Sequence, residues 1–143
     1  MAQNCRFAFA VHVLSCLALH PEGAMNSDQL AQTVNTNPVV IRRLLLDLRE
    51  AGLIETQRGP GGGAKLSREA KEISLAQIFR AVSGEFQPFG EHPNVPAQGC
   101  CVGRGIKAVL ESVAQKAAQC VQEQYAAMSL QDVVQQLQTQ PSS

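Results

Sequence analysis

Residues 7–19, FAFAVHVLSCLAL, place Phe7, Ala10, Val11, Leu14, Leu17 and Ala18 at helical spacing. This predicts a nearly all-apolar helix that belongs in a core. His20-Pro21-Glu22-Gly23 ends it with a turn. Asn26 followed by Ser27-Asp28-Gln29 reads as a capping box and opens a short helix to about Val34. Asn37-Pro38 opens a third helix, with Asn37 as cap and Pro38 at the first helical position. Ile41, Leu44, Leu45 and Leu48 form its buried stripe, and Gly52 stops it. Residues 53–56 and 64–66 then read as two short strands around the glycine-rich tip 57–63, a β-hairpin. Ser74-Leu75-Ala76-Gln77 is a second capping box, opening a helix that Ser83-Gly84 ends.

The pattern then loosens. Residues 84–103 hold Pro88, Pro93 and Pro96 among glycines, and a loop of that length in a compact domain is usually functional or disordered. From Arg104 to about Met128 a long helix is expected, with Ile106, Leu110, Val113, Ala117 and Cys120 at three-to-four spacing. Nothing obvious in the chain covers this seam, so a partner helix is expected to do so. Ser129 begins a last short helix, and the end, 138–143, is expected to fray. The organisation expected is residues 1–83 as one unit, 84–103 as a loop, and 104–143 as a dimerisation helix and tail.

Length and composition narrow the class. With 143 residues, 45% hydrophobic and 17% charged, the chain is one globular domain, or one with an appendage. No apolar run approaches the roughly 20 residues of a membrane span. The opening Met1-Ala2-Gln3-Asn4-Cys5-Arg6 lacks the apolar core and cleavage site of a secretory signal. A cytoplasmic protein is expected. Its five cysteines, at 5, 16, 100, 101 and 120, are then free thiols, and small buried hydrophobes by default.

Twelve basic and twelve acidic residues cancel, which taken alone argues against a nucleic-acid binder. The distribution argues for one. Residues 37–68 hold Arg42, Arg43, Arg49, Arg58, Lys65 and Arg68 against Asp47, Glu50 and Glu55, a local +3. The order helix, short helix, turn, helix, hairpin is that of a winged helix-turn-helix: mainly α with a small β-wing, here extended by the long C-terminal helix. The second helix of such a motif enters the major groove by its N-terminal end, where Val39, Arg42 and Arg43 stand. Arginine can hold guanine O6 and N7 together, and valine can meet a thymine methyl. Helix N-termini favour phosphate, which gives Ser27 and Asn37 a positioning role. Arg58 and Gly59 at the wing tip suit a narrow minor groove, and Lys65 is within reach of phosphate. For any one arginine a plain solvated charge would suffice. Three at two groove-facing positions of one topology favour DNA.

Residues 4–82 resemble the winged-helix regulators of the Rrf-two family, the IscR, NsrR and CymR type. The segments FAFAVHVL, SDQLAQTV, NPVVIRRLLLDLREAGLIETQRGPGGG and EISLAQIFRAVSG carry the likeness, and LREAGLIETQRGPGGG is the most specific. The resemblance extends to about residue 128. It implies a homodimer held by the long helix, whose seam by spacing is Ile106, Leu110, Val113 and Ala117, and a palindromic operator; repression of transcription is the expected mode of action. It also implies base contacts from Val39, Arg42 and Arg43, and a minor-groove contact from Arg58. Gly99-Cys100-Cys101-Val102-Gly103 lies where the family carries sensor cysteines.

There the sequence departs from the pattern. Cluster-binding members space three cysteines about five residues apart, and this loop offers only Cys100 and Cys101, side by side. Nothing in the spacing calls for an iron–sulfur cluster, and no cofactor is expected. A helix N-terminus and Arg104 nearby instead favour thiolate, so Cys100 or Cys101 is the candidate redox- or electrophile-sensitive group. A regulator that answers to a small molecule or to an iron–sulfur cluster is the variant reading. Two further classes compete. Cys100 or Cys101 with His92 is a minimal enzyme-like set, but nothing predicts an oxyanion site beside it, so no enzyme is expected. A winged helix can also serve as a protein-interaction module, which salt dependence would tell from DNA binding.

Overall fold

A computed structural model describes residues 5–141. The first four residues of the expected N-terminal unit and the last two of the tail lie outside them. Six helices and one hairpin follow in order: α1 Arg6–Leu19, α2 Ser27–Val34, α3 Pro38–Glu50, β1 Ile54–Gln57, β2 Gly63–Leu66, α4 Leu75–Ser83, α5 Cys101–Ala127 and α6 Leu130–Thr139, with a 3-10 turn Ala70–Glu72 before α4. The local signals act as their chemistry requires. The Gln29 amide donates to Asn26 Oδ1 at 2.8 Å, and the Asn26 amide donates back to Gln29 Oε1 at 2.9 Å. Asn37 Oδ1 accepts from the Val39 amide at 2.8 Å, with Pro38 in the first turn of α3. Ser74 and Gln77 close the same reciprocal box on α4. Each box satisfies two backbone donors that a helix start otherwise leaves open.

The core is a single cluster built from every element except α5. Leu14 of α1, Leu30 of α2, Ile41, Leu44 and Leu48 of α3, Leu53 and Ile73 of the connections, Ile78 of α4 and Leu130 of α6 are all buried. α5 has no buried residue along its 27 positions. Among the described residues, no helix is long and apolar enough to cross a membrane.

β1 and β2 pair antiparallel, Ile54 with Leu66 through Gln57 with Gly63. The wing is anchored on its other edge. The Met25 amide donates to the Ala64 carbonyl at 3.1 Å, and the Ala64 amide donates to the Met25 carbonyl at 2.8 Å. This two-bond bridge ties the start of α2 to the hairpin. Gly63 makes it possible: its φ is +144, and a Cβ there would lie 2.3 Å from the Met25 carbonyl oxygen. Gly63→Ala should therefore lower stability by about 1–3 kcal/mol. Urea unfolding checks this, and an unchanged midpoint would mean that the bridge yields at no cost.

Two sequence expectations need correction. The long helix starts at Cys101, not Arg104, so the loop ends at residue 100 and Cys101 is helical. Gly103 and Gly105 weaken the helical signal there. The chain nevertheless enters the helix early because Gly103 lets the loop close over the first turn, where a Cβ would meet the Ala97 carbonyl oxygen at 1.9 Å. The second concerns the C-terminus. The segment after α5 is not an appendage but part of the core of residues 5–83. The Leu130 amide donates to the Ile73 carbonyl at 2.8 Å, and the Leu75 amide to the Met128 carbonyl at 2.8 Å. Ser74 and Ser129 thus form an isolated antiparallel bridge, and Leu130 and Val134 are buried. The helix runs to Thr139, past the start of the expected fraying.

Candidate nucleic-acid interface

α3 buries Ile41, Leu44 and Leu48 and turns its opposite face outward. That face begins at its N-terminal end with Val39, 60% exposed, and continues through exposed Arg42 and Arg43. One turn further stands Leu46, 56% exposed. Sequence reasoning passed over Leu46. Its signal was its position, seven residues after Val39 and so on the same face.

The wing stands beside this helix. An open groove of about 660 Å³ lies between them, lined by Asn26 and Ser27 at the start of α2, by Arg42, Leu45, Leu46 and Arg49 of α3, and by wing residues from Thr56 to Ala64. Ser27, Arg42 and Gly59 of the expected site thus line one groove. Arg58 is exposed at the tip. Asn37 is exposed, its side chain already occupied in capping α3. Lys65 stands apart: it lines a second groove, with Leu17, Ala18 and Pro21 of the α1 end, and sits opposite Glu55 in the ladder.

The charges are mostly unneutralised by the protein. Among the described residues the ion pairs are Arg6–Asp47 and Lys71–Glu69. Arg42, Arg43, Arg49, Arg58, Lys65 and Arg68 belong to neither. The basic segment of the sequence is therefore a basic surface, with apolar Val39 and Leu46 set in it.

On the other side of the molecule, α5 packs on α4 through its C-terminal half. Ala118, Val121 and Tyr125 meet Ala76 and Phe79 around an open cleft, and Tyr125 stacks on Phe7 at 5.3 Å between ring centres. The N-terminal half carries the expected seam. Ile106, Leu110 and Ala117 are half-buried and Val113 is 48% exposed, with Val102 and Val109 more open still.

Cys16 is partly buried, and Cys5, Cys100, Cys101 and Cys120 are exposed. Cys5 was expected to pack but is exposed at the start of α1. Cys100 is the N-cap residue of α5 and makes no full capping hydrogen bond. The backbone amides of Gly103 and Val102, aimed at its sulfur, still hold the thiol below its usual pKa. The loop end is docked here, since the Arg104 guanidinium donates to the Gln98 carbonyl at 2.8 Å.

Comparison with known proteins decides the class. The Rrf2 family, described as iron-dependent transcriptional regulators, matches residues 3–136. The chain belongs to the Rrf2 family. YwnA of Bacillus subtilis (strain 168), whose name classes it among HTH-type transcriptional regulators, is 34% identical over 134 residues, 94% of this chain and 98% of that one. The HTH-type transcriptional regulator IscR of Cereibacter sphaeroides is 36% identical over 77 residues, about half of each chain. The solved structure of T. potens IscR shares the fold, with a TM-score of 0.74 at 23% identity, covering 100% of this chain and 93% of that one. This Rrf2 protein is a DNA-binding transcriptional regulator of winged-helix architecture, not an enzyme.

The iron in the family's description raises the question of a cluster. Among the described residues, no three His, Cys, Asp or Glu side chains stand together so as to hold a metal ion. Cys100 and Cys101 occupy consecutive backbone positions, the cap and the first residue of α5. The donor set of one chain does not fit an iron–sulfur cluster.

Proposed function

We propose that the chain is a cytoplasmic, homodimeric repressor that reads a palindromic operator with α3 of each protomer. The observation that carries this reading is the exposed face of α3, whose arginines take part in no ion pair among the described residues, beside an exposed wing. In each half-site Val39, Arg42 and Arg43 enter the major groove, and Arg58 with Gly59 enters the adjacent minor groove. Ser27 and Asn37, at the starts of α2 and α3, and Lys65 on the wing meet phosphates. The two copies join along α5 through Ile106, Leu110, Val113 and Ala117, which spaces the half-sites one or more helical turns apart.

The test uses fluorescence anisotropy on the duplex that the wild-type protein selects from a random-sequence library. Arg42→Ala and Arg43→Ala should each cost about 1–3 kcal/mol, concentrated at one base pair. An equal loss on every sequence would mark phosphate contacts alone. Affinity should fall steeply with salt, and a flat salt profile would overturn the DNA reading of this face.

The signal enters at the start of α5, through Cys100 with Cys101 as its neighbour. The depressed pKa of Cys100 supports this, because thiolate is the reactive form. The sign is direct: a lowered pKa keeps thiolate present further down the pH scale. Cys100 alkylation by iodoacetamide, followed in a Cys101→Ser background, should therefore have its pH midpoint below that of a small free thiol. A midpoint equal to that of the free thiol removes Cys100 as the sensor.

A further inference from the structure

Arg6, the first residue of α1, reaches two other helices. Its Nε donates to the Val82 carbonyl at the end of α4, at 2.9 Å. Its Nη2 pairs with Asp47 Oδ2 on α3. A planar guanidinium presents separate N–H donors to a carbonyl and a carboxylate at once. Asp47 lies four residues after Arg43, the spacing at which opposite charges on a helix meet. Among the described residues, Asp47 pairs with Arg6 and Arg43 takes part in no ion pair.

We propose that Arg6 is a positioning residue for DNA recognition: by engaging Asp47 from behind, it keeps that carboxylate away from Arg43 and leaves Arg43 free for DNA. Without Arg6, Asp47 draws Arg43 back along the helix into an ion pair and away from DNA. The pair is half-exposed, each side chain retaining about a third of its surface. Pairs of that kind add little to folding, so its value lies in where it leaves the charges. This inference rests on the reading of Arg43 as a DNA contact.

The experiment compares the wild type with Arg6→Gln, Asp47→Asn, the double variant and Arg43→Ala on the selected duplex. Arg6→Gln should bind about tenfold more weakly, in the range of one lost base contact. Asp47→Asn alone should bind at least as well as wild type. The double variant should return to within about twofold of wild type, because removing the carboxylate removes the harm. A merely structural Arg6 gives the opposite result: Asp47→Asn then fails to rescue, and the proposal falls. It falls equally if Arg6→Gln binds as wild type. If Arg43→Ala binds as wild type, the contact reading of Arg43 itself fails, a result separate from loss of rescue. Should Arg6→Gln not fold, Arg6→Lys carries the test. It keeps a cation at Asp47 and should bind within about threefold of wild type, and a tenfold loss overturns the role.

Discussion

Leu110→Asp is expected to turn the dimer into a folded monomer and to weaken binding to a two-half-site duplex by about 100-fold or more. The reasoning starts from α5, which has 27 residues and none buried. A single chain covers its C-terminal half with α4 and leaves Val102, Val109 and Val113 about half exposed or more. A stripe of that length needs a partner surface, and a second copy supplies the same stripe in return. An aspartate at its centre would have to be buried against apolar side chains at a large desolvation cost. Loss of the dimer separates two linked binding events, and the gain from linkage, of order 10²-fold or more, disappears. Leu137 is an exposed apolar residue, at 49%, on α6 and not on α5, so Leu137→Asp is the control. Analytical ultracentrifugation and anisotropy read the two effects together. A Leu110→Asp protein that still sediments as a dimer removes α5 from the interface. A monomer that binds as tightly as wild type removes the need for two half-sites.

The cost of that variant should fall on DNA binding and not on folding, because Leu110 lies outside the central core, against which α5 sets only its partly buried Tyr125. On the proposed function, α5 also gives a signal at Cys100 a route to DNA. The thiol caps the helix that carries the proposed seam, and the loop end is fixed to the first turn of that helix through Gly103 and Arg104. A group added at Cys100 would change the start of α5, and with it the seam proposed to set the spacing of two α3 helices. The lever is then dimer geometry, since both half-sites must be reached together.

What the sequence made legible was local. The starts of α2, α3 and α4 could be read because each is specified by a side chain within three residues of the backbone it caps. The outward face of α3, with exposed Arg42 and Arg43, could be read from the 3.6-residue period, and the exposure of Arg58 from the glycine-rich tip beside it. The features that escaped depend on partners distant in the chain. Met25 bridges to Ala64, and Arg6 reaches Asp47 and Val82. No spacing rule foretells such pairs, since they exist only once the core has brought the elements together. Cys101 escaped for a different reason. Two glycines in the first turns of α5 lower its helical propensity, while a contact with Ala97 that only a glycine permits holds the turn in place.

Leu130→Ala should lower stability by about 2–5 kcal/mol, the largest single-residue loss expected in the C-terminal third. Read along the chain, α6 is a polar, glutamine-rich helix behind a dimerisation segment. Its apolar residues are few, and the sequence predicts only a short helix from Ser129 before a fraying end at 138–143. In the fold, Leu130 is fully buried among residues of the N-terminal elements. Its amide closes a hydrogen bond to Ile73, and the Ser129–Asp132 capping box fixes the start of α6. Truncating Leu130 leaves a cavity in a core that cannot collapse around it without moving the 3-10 turn or α4. It also follows that a fragment ending at residue 83 lacks part of its own core, and should lose cooperative unfolding. Urea denaturation followed by circular dichroism decides both points. Leu130→Ala with an unchanged midpoint, or a 1–83 fragment as stable as the whole chain, would mean that α6 rests on the core without contributing to it. The expected result ties the two ends of the chain into one folding unit. The α5 seam between them is then held to the core at its C-terminal end, where α6 follows it.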